Sequence, residues 1–496
     1  MYIYTDTPEF LYEFEKLTRL FFPFERIEVV NREANLSDDL FGEVRLREEN
    51  SQKFIFARAG LKGKIVEKTE QFDPDKSLDP DREKIFERCL AATLFDVYCE
   101  LTDYKPEWGI LTGIRPAKLY RRFEQEIGDK NATELFKNEF RVGDKKLELL
   151  RKTALSEDNI VSKSKSNSVS LYISIPFCPS RCSYCSFVSH SIDRAASLIP
   201  QYVELLCKEI EHTAKIIKKL GLEVLTVYMG GGTPTTLSAE QITMILNTVK
   251  NCFDNDFLEL TVEAGRPDTI TKEKLVAIKN GGATRISINP QTMNDEVLNT
   301  IGRKHTTEQT LKAFEMARSV GFDNINMDLI AGLPGDTFES FKSTVERVIA
   351  LNPESVTVHS LSLKRSSGMG QDKTRSYLKE GMLASKMVDY AQSRLKEANI
   401  LPYYMYRQSK TVGNLENVGY AKKGFEGHYN VYIMDETHTI LACGASAVTK
   451  LKSNYDGQIE RIFNFKYPYE YMAQFDEMLR RKDRVEEFYG AHTFKD

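Results

Sequence analysis

The sequence lacks the features that mark several common classes of protein. It contains no run of 18 apolar residues, so we expect no transmembrane helix. Its first residues have neither a basic stretch nor an apolar segment, which argues against a signal peptide. A net charge of −4 over 496 residues gives no bulk attraction for nucleic acid. Eight cysteines are too few for a disulfide framework in so long a chain. We therefore expect a cytoplasmic protein with no membrane span and no nucleic-acid partner.

Three of the eight cysteines are concentrated in one short segment. Cys178, Cys182 and Cys185 have the spacing C-x3-C-x2-C, and no fourth cysteine or histidine lies among these eight residues. A structural zinc site needs four protein ligands. A [4Fe–4S] cluster that is held by three cysteines instead keeps one iron open for a small molecule. The spacing therefore predicts an iron–sulfur cluster. Four other cysteines occur in apolar helical patterns and are expected to be small core residues: Cys89, Cys99, Cys207 and Cys252.

The pattern of apolar and polar residues divides the chain into three predicted domains. Alternation between residues 27 and 70 predicts strands, and spacing over 82–101 and 145–155 predicts helices, so residues 1–165 form an α+β domain. A Ser- and Lys-rich stretch at 163–170 predicts a linker. The barrel domain described next takes 166–362. A helix at 381–399, followed by aromatic and Gly-rich segments, predicts a smaller C-terminal domain at 363–496.

Residues 166–362 alternate short β-branched runs with longer helical patterns. The helices are expected near 195–220, 239–252, 271–280, 306–320 and 337–350. Repeated βα units with right-handed crossovers predict an α/β fold with a parallel sheet, curled as a partial (β/α)6 barrel. Six strands are predicted: Leu171–Ile175, Val224–Met229, Leu258–Glu263, Arg285–Asn289, Asn324–Ile330 and Ser355–Leu361.

Residues that could bind a ligand or take part in a reaction fall at the carboxyl ends of these strands, where barrels of this type carry their function. The cysteine segment follows the first strand, and three consecutive glycines at 230–232 follow the second. Such glycines let a ligand contact backbone amides and carbonyls directly. Ser238 and Gln241 then form a predicted capping box for the next helix. The later strands end near Glu263, Gln291, Asp328 and His359.

Several segments together resemble the oxygen-independent coproporphyrinogen III oxidase-like branch of radical S-adenosylmethionine (SAM) proteins. The resemblance covers about residues 169–450, and the N-terminal extension with its segment 108–116 resembles the HemZ type within this branch, which is related to HemN and HemW. The matching segments are Leu171-Tyr-Ile-Ser-Ile-Pro-Phe-Cys178, Gly230-Gly-Gly-Thr-Pro234, Arg285-Ile-Ser-Ile-Asn-Pro-Gln291, Ile301-Gly-Arg-Lys-His305, Asp328-Leu-Ile-Ala-Gly-Leu-Pro334 and Gly427-His-Tyr-Asn430.

The resemblance implies roles for individual residues. The three cysteines Cys178, Cys182 and Cys185 match the ligands of the [4Fe–4S] cluster. A second group matches positions that hold the SAM bound to the cluster: Tyr172, Tyr184, Gly231, Gly232, Thr233 and Glu263. A third group matches positions that contact SAM, including a second molecule: Gln291, Arg303 and Asp328. The guanidinium group of Arg303 could pair with a carboxylate through two hydrogen bonds. Ser362 and Val448 match further contacts.

The implied function is a radical SAM oxidoreductase of porphyrin and haem biosynthesis. The substrate would be a tetrapyrrole, coproporphyrinogen III, whose propionates lose CO2 to become vinyl groups, and the electron donor would be of the flavodoxin or ferredoxin type. The coproporphyrinogen enzyme has a fourth cysteine where this chain has Phe187. The Gly-Arg-Lys-His segment is similar to the haem-chaperone branch, so a chaperone that binds haem through His428 or His305 is an alternative. A radical SAM enzyme with another substrate is a second alternative.

Overall fold

The computed structural model describes residues 1–36, 38–113, 115–185, 189–253, 257–362, 375–408 and 411–491. Among them the chain forms two compact units. One unit, called here the N-terminal unit, contains residues of 1–155, 375–385 and 405–416. The other, called here the sheet unit, contains residues of 156–362, 386–404 and 417–491. The three-domain division at residues 165 and 362 stays a prediction. In the described parts of the chain, no helix is long and apolar enough to cross a membrane.

The N-terminal unit is built on a five-stranded sheet with the order β2-β1-β3-β4-β5. Its strands are β1 (Tyr2–Thr5), β2 (Glu28–Val30), β3 (Leu40–Glu49), β4 (Gln52–Leu61) and β5 (Lys64–Gln71). The helices up to residue 161 are α1 (Leu11–Thr18), α2 (Arg82–Thr102), α3 (Pro116–Ile127), α4 (Asp129–Asn138) and α5 (Asp144–Val161). Helix α2 packs its apolar face on β4 and β5, with Leu94 and Tyr98 fully buried. The predicted helices and the α+β character of this region are confirmed.

The remaining strands and helices alternate along most of the chain. The strands are β6 (Ser168–Ile175), β7 (Phe177–Cys178), β8 (His190–Ser191), β9 (Glu223–Gly231), β10 (Glu259–Glu263), β11 (Arg285–Ser287), β12 (Ile325–Ala331), β13 (Ser355–Ser360), β14 (Leu401–Arg407), β15 (Glu416–Ala421), β16 (Thr439–Cys443), β17 (Val448–Lys452) and β18 (Ile459–Phe463). The helices are α6 (Ile192–Ala195), α7 (Ile199–Lys219), α8 (Ala239–Cys252), α9 (Lys272–Asn280), α10 (Asp295–Thr300), α11 (Thr307–Ser319), α12 (Phe338–Ala350), α13 (Arg375–Glu397), α14 (His428–Asp435), α15 (Pro468–Ala473) and α16 (Phe475–Ala491).

The six predicted strands form the centre of one large sheet. They lie in chain order as β6-β9-β10-β11-β12-β13, and each neighbouring pair is parallel. Nearly every residue of these strands is buried, as expected for parallel strands that are covered by helices on connecting crossovers. The predicted capping box at the start of α8 is present, with Ser238 and Gln241 bonding to each other's backbone. The α/β fold is therefore confirmed.

Two features of the sheet differ from the sequence-based expectation. Strand β16 pairs in parallel with β6 and adds a seventh parallel strand, because Thr439–Cys443 is apolar enough to be buried. The predicted linker was wrong for residues 168–170, which begin β6. Ser170 is fully buried there, and its hydroxyl is satisfied by hydrogen bonds with Thr226 and with Nδ1 of His438. Serine composition alone therefore misplaced the start of the strand.

Candidate functional site

The cysteine segment leaves the carboxyl end of β6 and is tied down by backbone hydrogen bonds. Cys178 lies opposite Ser191 in the short β7–β8 ladder. The Ser183 amide donates to the carbonyl of Ile301 at 3.0 Å, and the Cys185 amide donates to the carbonyl of Cys182 at 3.2 Å. Cys182 is buried, whereas the other two cysteines are partly buried. Phe187 lies outside the described residues. The described part of the segment is thus a fixed loop that carries all three thiols.

The glycine run after β9 packs directly on this loop. The Gly232 amide donates to the carbonyl of Ile175, and the Thr233 amide donates to that of Phe177, both at 2.7 Å. A β-carbon on Gly232 would come within 3.0 Å of Cys178 Sγ and 2.5 Å of a backbone oxygen. Gly231 has φ of +105°, a conformation that side chains rarely adopt. Thr233 Oγ1 donates to Cys178 Sγ at 3.5 Å. Only glycine fits beside the first cysteine.

The described residues contain no group of three His, Cys, Asp or Glu side chains that could hold a single metal ion. A four-iron cluster makes a different demand, because each of its cysteines binds a different iron. A fixed loop with three thiols and a backbone cradle that lacks a β-carbon meets that demand. The residues present therefore fit an iron–sulfur cluster, with Cys178, Cys182 and Cys185 as the proposed ligands.

Three tyrosine rings stack beside the end of β10. The Tyr228 and Tyr429 rings are 4.5 Å apart at 21°, and the Tyr172 ring is 6.2 Å from that of Tyr228. Tyr228 donates its hydroxyl hydrogen to Glu263 Oε1 at 2.5 Å. Burial and the charge of Glu263 raise the pKa of Tyr172, so the phenol stays protonated. Burial, with nearby Asp328, raises the pKa of Glu263 to about 7 despite the lowering effect of the Tyr228 hydrogen bond.

Asp328, in the middle of β12, meets Gln291, which lies four residues beyond the end of β11. The Gln291 amide donates to the Asp328 carbonyl at 2.9 Å, and Gln291 has φ of +66°. Its side-chain Oε1 is buried without a partner among the described residues. Asp328 accepts from Asn326 Nδ2 at 2.7 Å and lies 3.7 Å from Nε2 of His359. Burial opposes ionisation of Asp328, but His359 nevertheless lowers its pKa. Gln291 and Asp328 are therefore close together, as their places on neighbouring strands of the sheet predicted.

Arg303, predicted to pair with a carboxylate, is only 6% exposed. Its Nη1 donates to the carbonyl of Asn289 at 2.6 Å and its Nη2 to that of Gly265 at 3.2 Å. Burial would lower the Arg303 pKa, yet Tyr184 and Cys182 beside it raise the pKa. Its Nε is buried without a partner among the described residues. One donor of the fork therefore remains for a ligand.

The last two predicted contacts lie at different distances along the chain from the strand ends. Ser362 is two residues beyond β13. Val448 begins β17, after a turn that follows β16. That turn touches the carboxyl end of β6, because Ser174 Oγ donates to the Ala445 carbonyl at 2.9 Å. Since β16 is parallel to β6, the turn shares the edge that carries the cysteine loop.

Sequence reasoning missed three residues at this edge. Tyr228 was interpreted only as part of a strand, and Tyr429 only as part of a matching segment. Arg266, three residues after Glu263, was not singled out, although its Nη1 donates to Ser180 Oγ at 3.1 Å. The alternation of side chains along β9 was the available signal for Tyr228, because it places Tyr228 two residues before Gly230 on one face. No local pattern pointed to the other two.

The two histidines proposed as haem ligands are both buried. His305 is only 2% exposed. Burial, with the charge of Arg303, lowers its pKa to about 3, so its ring is neutral. His428 has Nε2 at 3.2 Å from Lys163 Nζ and Nδ1 at 3.7 Å from Glu259 Oε2. The two ring nitrogens of His305 have no hydrogen-bond partner among the described residues, but both are buried and out of reach of a large planar ligand.

Comparison with known proteins agrees with this geometry. The chain matches the family model described as the Radical SAM superfamily over residues 172–348. It is 37% identical to the oxygen-independent coproporphyrinogen-III oxidase-like protein HemZ of Bacillus subtilis (strain 168), over 84% of this chain and 83% of that protein. It is 32% identical to the heme chaperone HemW of the same organism, over 56% of this chain and 70% of that protein.

A solved structure, coproporphyrinogen III oxidase (HemN) from Escherichia coli, is 23% identical with a TM-score of 0.49, covering 66% of this chain and 73% of that one. The radical SAM superfamily uses a [4Fe–4S] cluster and SAM as cofactors. The cysteine loop, the glycine cradle and the acids at the strand ends fit that pair. The chain belongs to the oxygen-independent coproporphyrinogen-III oxidase-like family of radical SAM proteins.

Proposed function

We propose that the protein is an oxidoreductase that converts propionate side chains of coproporphyrinogen III to vinyl groups. The observation that carries the proposal is the packing of the cysteine loop on Gly232, at the same sheet edge as the Tyr228–Glu263 pair. This arrangement supports a cofactor that spans a cluster and a nucleoside. The substrate is inferred from the HemZ and HemN relatives, whose names refer to coproporphyrinogen III. A flavodoxin- or ferredoxin-type protein is the proposed electron donor.

When both cofactors are bound, they supply a radical able to take a hydrogen atom from an unactivated carbon. The protein's own residues bind and orient. We propose that Glu263 accepts hydrogen bonds from the SAM sugar or amine, since its carboxyl is held by Tyr228 and faces no lysine or arginine in an ion pair within the described residues. Gly231 and Gly232 offer backbone groups to the amine. Tyr172 and Tyr184 are proposed to line the same site.

The third group of residues is proposed to position SAM, with Arg303 pairing with a carboxylate. Arg303 keeps one buried guanidinium donor without a partner, and Gln291 keeps one buried acceptor, within the described structure. Buried polar atoms without partners cost about 1–3 kcal/mol each, so a site that contains them favours a ligand that satisfies them. Asp328, Ser362 and Val448 complete the proposed contacts with SAM, including a second molecule. Precise orientation is what such contacts contribute to rate.

A haem chaperone is the competing function, and the similarity to the heme chaperone HemW is the observation in its favour. The burial of His305 and the contacts of His428 with Lys163 and Glu259 argue against it, because haem iron needs an accessible axial nitrogen. A radical SAM reaction on another substrate shares the same cofactor site. Both alternatives predict that coproporphyrinogen III is left unchanged.

The test is an anaerobic incubation of the reconstituted protein with SAM, a low-potential reductant, an electron acceptor and coproporphyrinogen III. We expect a product with vinyl groups, release of CO2 and consumption of SAM in proportion to product. Arg303→Ala should slow product formation more than it slows unproductive SAM cleavage. Stoichiometric haem binding without CO2 release would contradict the oxidase proposal. SAM cleavage with coproporphyrinogen III unchanged would leave a radical SAM enzyme with another substrate as the remaining alternative.

A further inference from the structure

Arg266 places a buried positive charge against the cysteine loop. It follows β10 by three residues and is 3% exposed. Its Nη1 donates to Ser180 Oγ at 3.1 Å and to the Ser180 carbonyl at 3.4 Å. The same nitrogen lies 3.9 Å from Cys182 Sγ, within hydrogen-bonding distance of a sulfur acceptor. One guanidinium nitrogen therefore contacts both the backbone of the loop and its buried thiol.

The other face of the guanidinium is held by Asp268. Arg266 Nε donates to Asp268 Oδ1 at 3.0 Å, and Nη2 donates to Oδ2 at 2.9 Å. Such a bidentate pair fixes the plane of the guanidinium as well as its charge. Asp268 also balances part of the positive charge that Cys182 experiences. The pair is thus a rigid dipole whose positive end points at a proposed cluster ligand.

We infer that Arg266 is a positioning residue that raises the reduction potential of the cluster at Cys182, and that Asp268 limits the size of this effect. The inference rests on cluster ligation by the three cysteines proposed above. It is independent of the tetrapyrrole substrate. The reduction potential determines how readily the cluster accepts the electron with which radical SAM chemistry begins.

The physical reason is the charge of the reduced state. Reduction adds one negative charge to the cluster, and a cation fixed nearby in a poorly polarisable interior stabilises that state more than the oxidised state. Hydrogen bonds to cluster sulfurs and the net charge around a cluster are established determinants of its potential. Outer partners of metal ligands also fix the orientation of those ligands. Arg266 combines the charge and the hydrogen bond in one side chain.

Two substitutions then have opposite expected effects. Arg266→Met keeps most of the buried volume but removes the charge and the hydrogen bond, so the midpoint potential should become more negative. Asp268→Asn removes the compensating negative charge and keeps Arg266, so the potential should become less negative. A purely structural role would not produce shifts of opposite sign. Arg266→Lys keeps the charge without the fork and should lie between the wild type and Arg266→Met.

The experiment is an anaerobic redox titration of the reconstituted full chain without SAM, monitored by the electron paramagnetic resonance signal of the reduced cluster. Arg285→Met is the matched control, because Arg285 is also buried but contacts Phe425 and Ser355 instead of the cysteine loop. We expect its potential to equal that of the wild type. Iron content is measured in every sample, which tests cysteine ligation separately from the potential.

Equal potentials for the wild type and both charge variants would overturn the inference, as would shifts of the same sign. If Arg266→Met binds no iron, the other two variants still test the inference. It requires that Asp268→Asn raise the midpoint potential and that Arg266→Lys not raise it. A wild type that binds no iron would instead refute the proposed ligation. Loss of coproporphyrinogen turnover with the expected potential shifts would bear on the substrate alone.

Discussion

Each unit withdraws a glutamate from solvent, fully for Glu416 and partly for Glu263, and the two differ in what neutralises them. In the N-terminal unit, Glu416 is fully buried and accepts from Lys146 Nζ at 2.8 Å and from Trp108 Nε1 at 2.7 Å. In the sheet unit, Glu263 accepts from the neutral hydroxyl of Tyr228 and faces the like charge of Asp328. A buried charge is stable only when it is paired and hydrogen-bonded. Glu416 meets that condition within the protein, whereas Glu263 does not.

The comparison teaches how to separate a structural buried acid from a functional one. Trp108 belongs to the segment 108–116 that resembles the HemZ type, and its contact with Glu416 gives this residue a packing role. Burial raises the Glu263 pKa to about 7, as expected for a carboxyl that faces no lysine or arginine in an ion pair within the described residues and is a candidate for ligand binding. The sheet unit also holds unpartnered buried atoms of Gln291 and Arg303 at the same edge, among the described residues. These two atoms lie at the edge where a ligand is expected.

The largest expected effect separates the cysteines of the two units. Replacing any one of Cys178, Cys182 and Cys185 by Ala should abolish iron binding after anaerobic reconstitution, where the wild type should hold about four irons per chain. Cys89→Ala and Cys99→Ala should leave it unchanged. Burial raises the pKa of Cys89 to about 11 and that of Cys99 to about 12, so both are thiols at neutral pH.

Iron and sulfide analysis of each purified variant measures this difference. Cys207→Ala is a further control from the sheet unit, because Cys207 lies on α7 and is buried by apolar packing. Loss of iron in Cys207→Ala, or retention of iron in Cys182→Ala, would refute the ligand assignment.

The second prediction compares the substitution of glutamine for each of the two glutamates. Glu416→Gln removes the carboxylate that pairs with the buried Lys146 and should lower the free energy of unfolding by about 3–5 kcal/mol. Glu263→Gln removes a poorly paired charge and should leave stability unchanged or higher. SAM affinity should respond in the opposite way, falling about tenfold in Glu263→Gln, which corresponds to ~1.4 kcal/mol. Denaturant unfolding and equilibrium SAM binding measure the two quantities. A stability loss in Glu263→Gln equal to that of Glu416→Gln would erase the distinction.

Much of the sheet unit could be predicted from sequence, for a physical reason. Parallel strands need a periodic alternation of β-branched runs and helices, so β6 and β9 to β13 could be predicted from the local pattern. The same rule placed Glu263 and Asp328 on one edge before any coordinates. Strand β16 could not be predicted to join that edge, since it lies far along the chain and its pairing with β6 is a long-range choice. Tyr429 reaches the tyrosine stack for the same long-range reason.

The third prediction tests the fit of the glycine run against the cysteine loop. Gly232→Ala should lower iron content or SAM affinity markedly, because the added methyl group would press on Cys178 Sγ and on backbone oxygens that cannot move. Gly490→Ala is the control, since a β-carbon there meets open space on α16 and Ala favours a helix by up to about 1 kcal/mol. The control should keep both iron and SAM binding. Normal binding in Gly232→Ala would mean that the cradle does not require glycine.

The smallest effect is the pH dependence that the unpaired glutamate predicts. If the ionised carboxylate binds SAM, the apparent affinity scales with its ionised fraction, so it should rise about tenfold from about pH 6 to pH 8 around the Glu263 pKa of about 7. Stability should change in the opposite direction. The folded-state pKa lies above the value of about 4.3 for an unfolded chain, so the native state binds more protons between these values. Its stabilising contribution is complete below the lower value and is lost as the pH rises through about 7.

The groups that face Glu263 are Tyr172, Tyr228, Tyr429, Asp328 and His359. Because His359 also faces Glu263, the dependence is assigned by substitution. Glu263→Gln should bind SAM with an affinity that no longer changes with pH, whereas His359→Gln should keep a rise whose midpoint moves upward, since His359 lowers the Glu263 pKa. Isothermal binding measurements across this pH range, with iron content held equal, give both curves. A rise that survives in Glu263→Gln would place the titrating group elsewhere and would remove the contrast with Glu416.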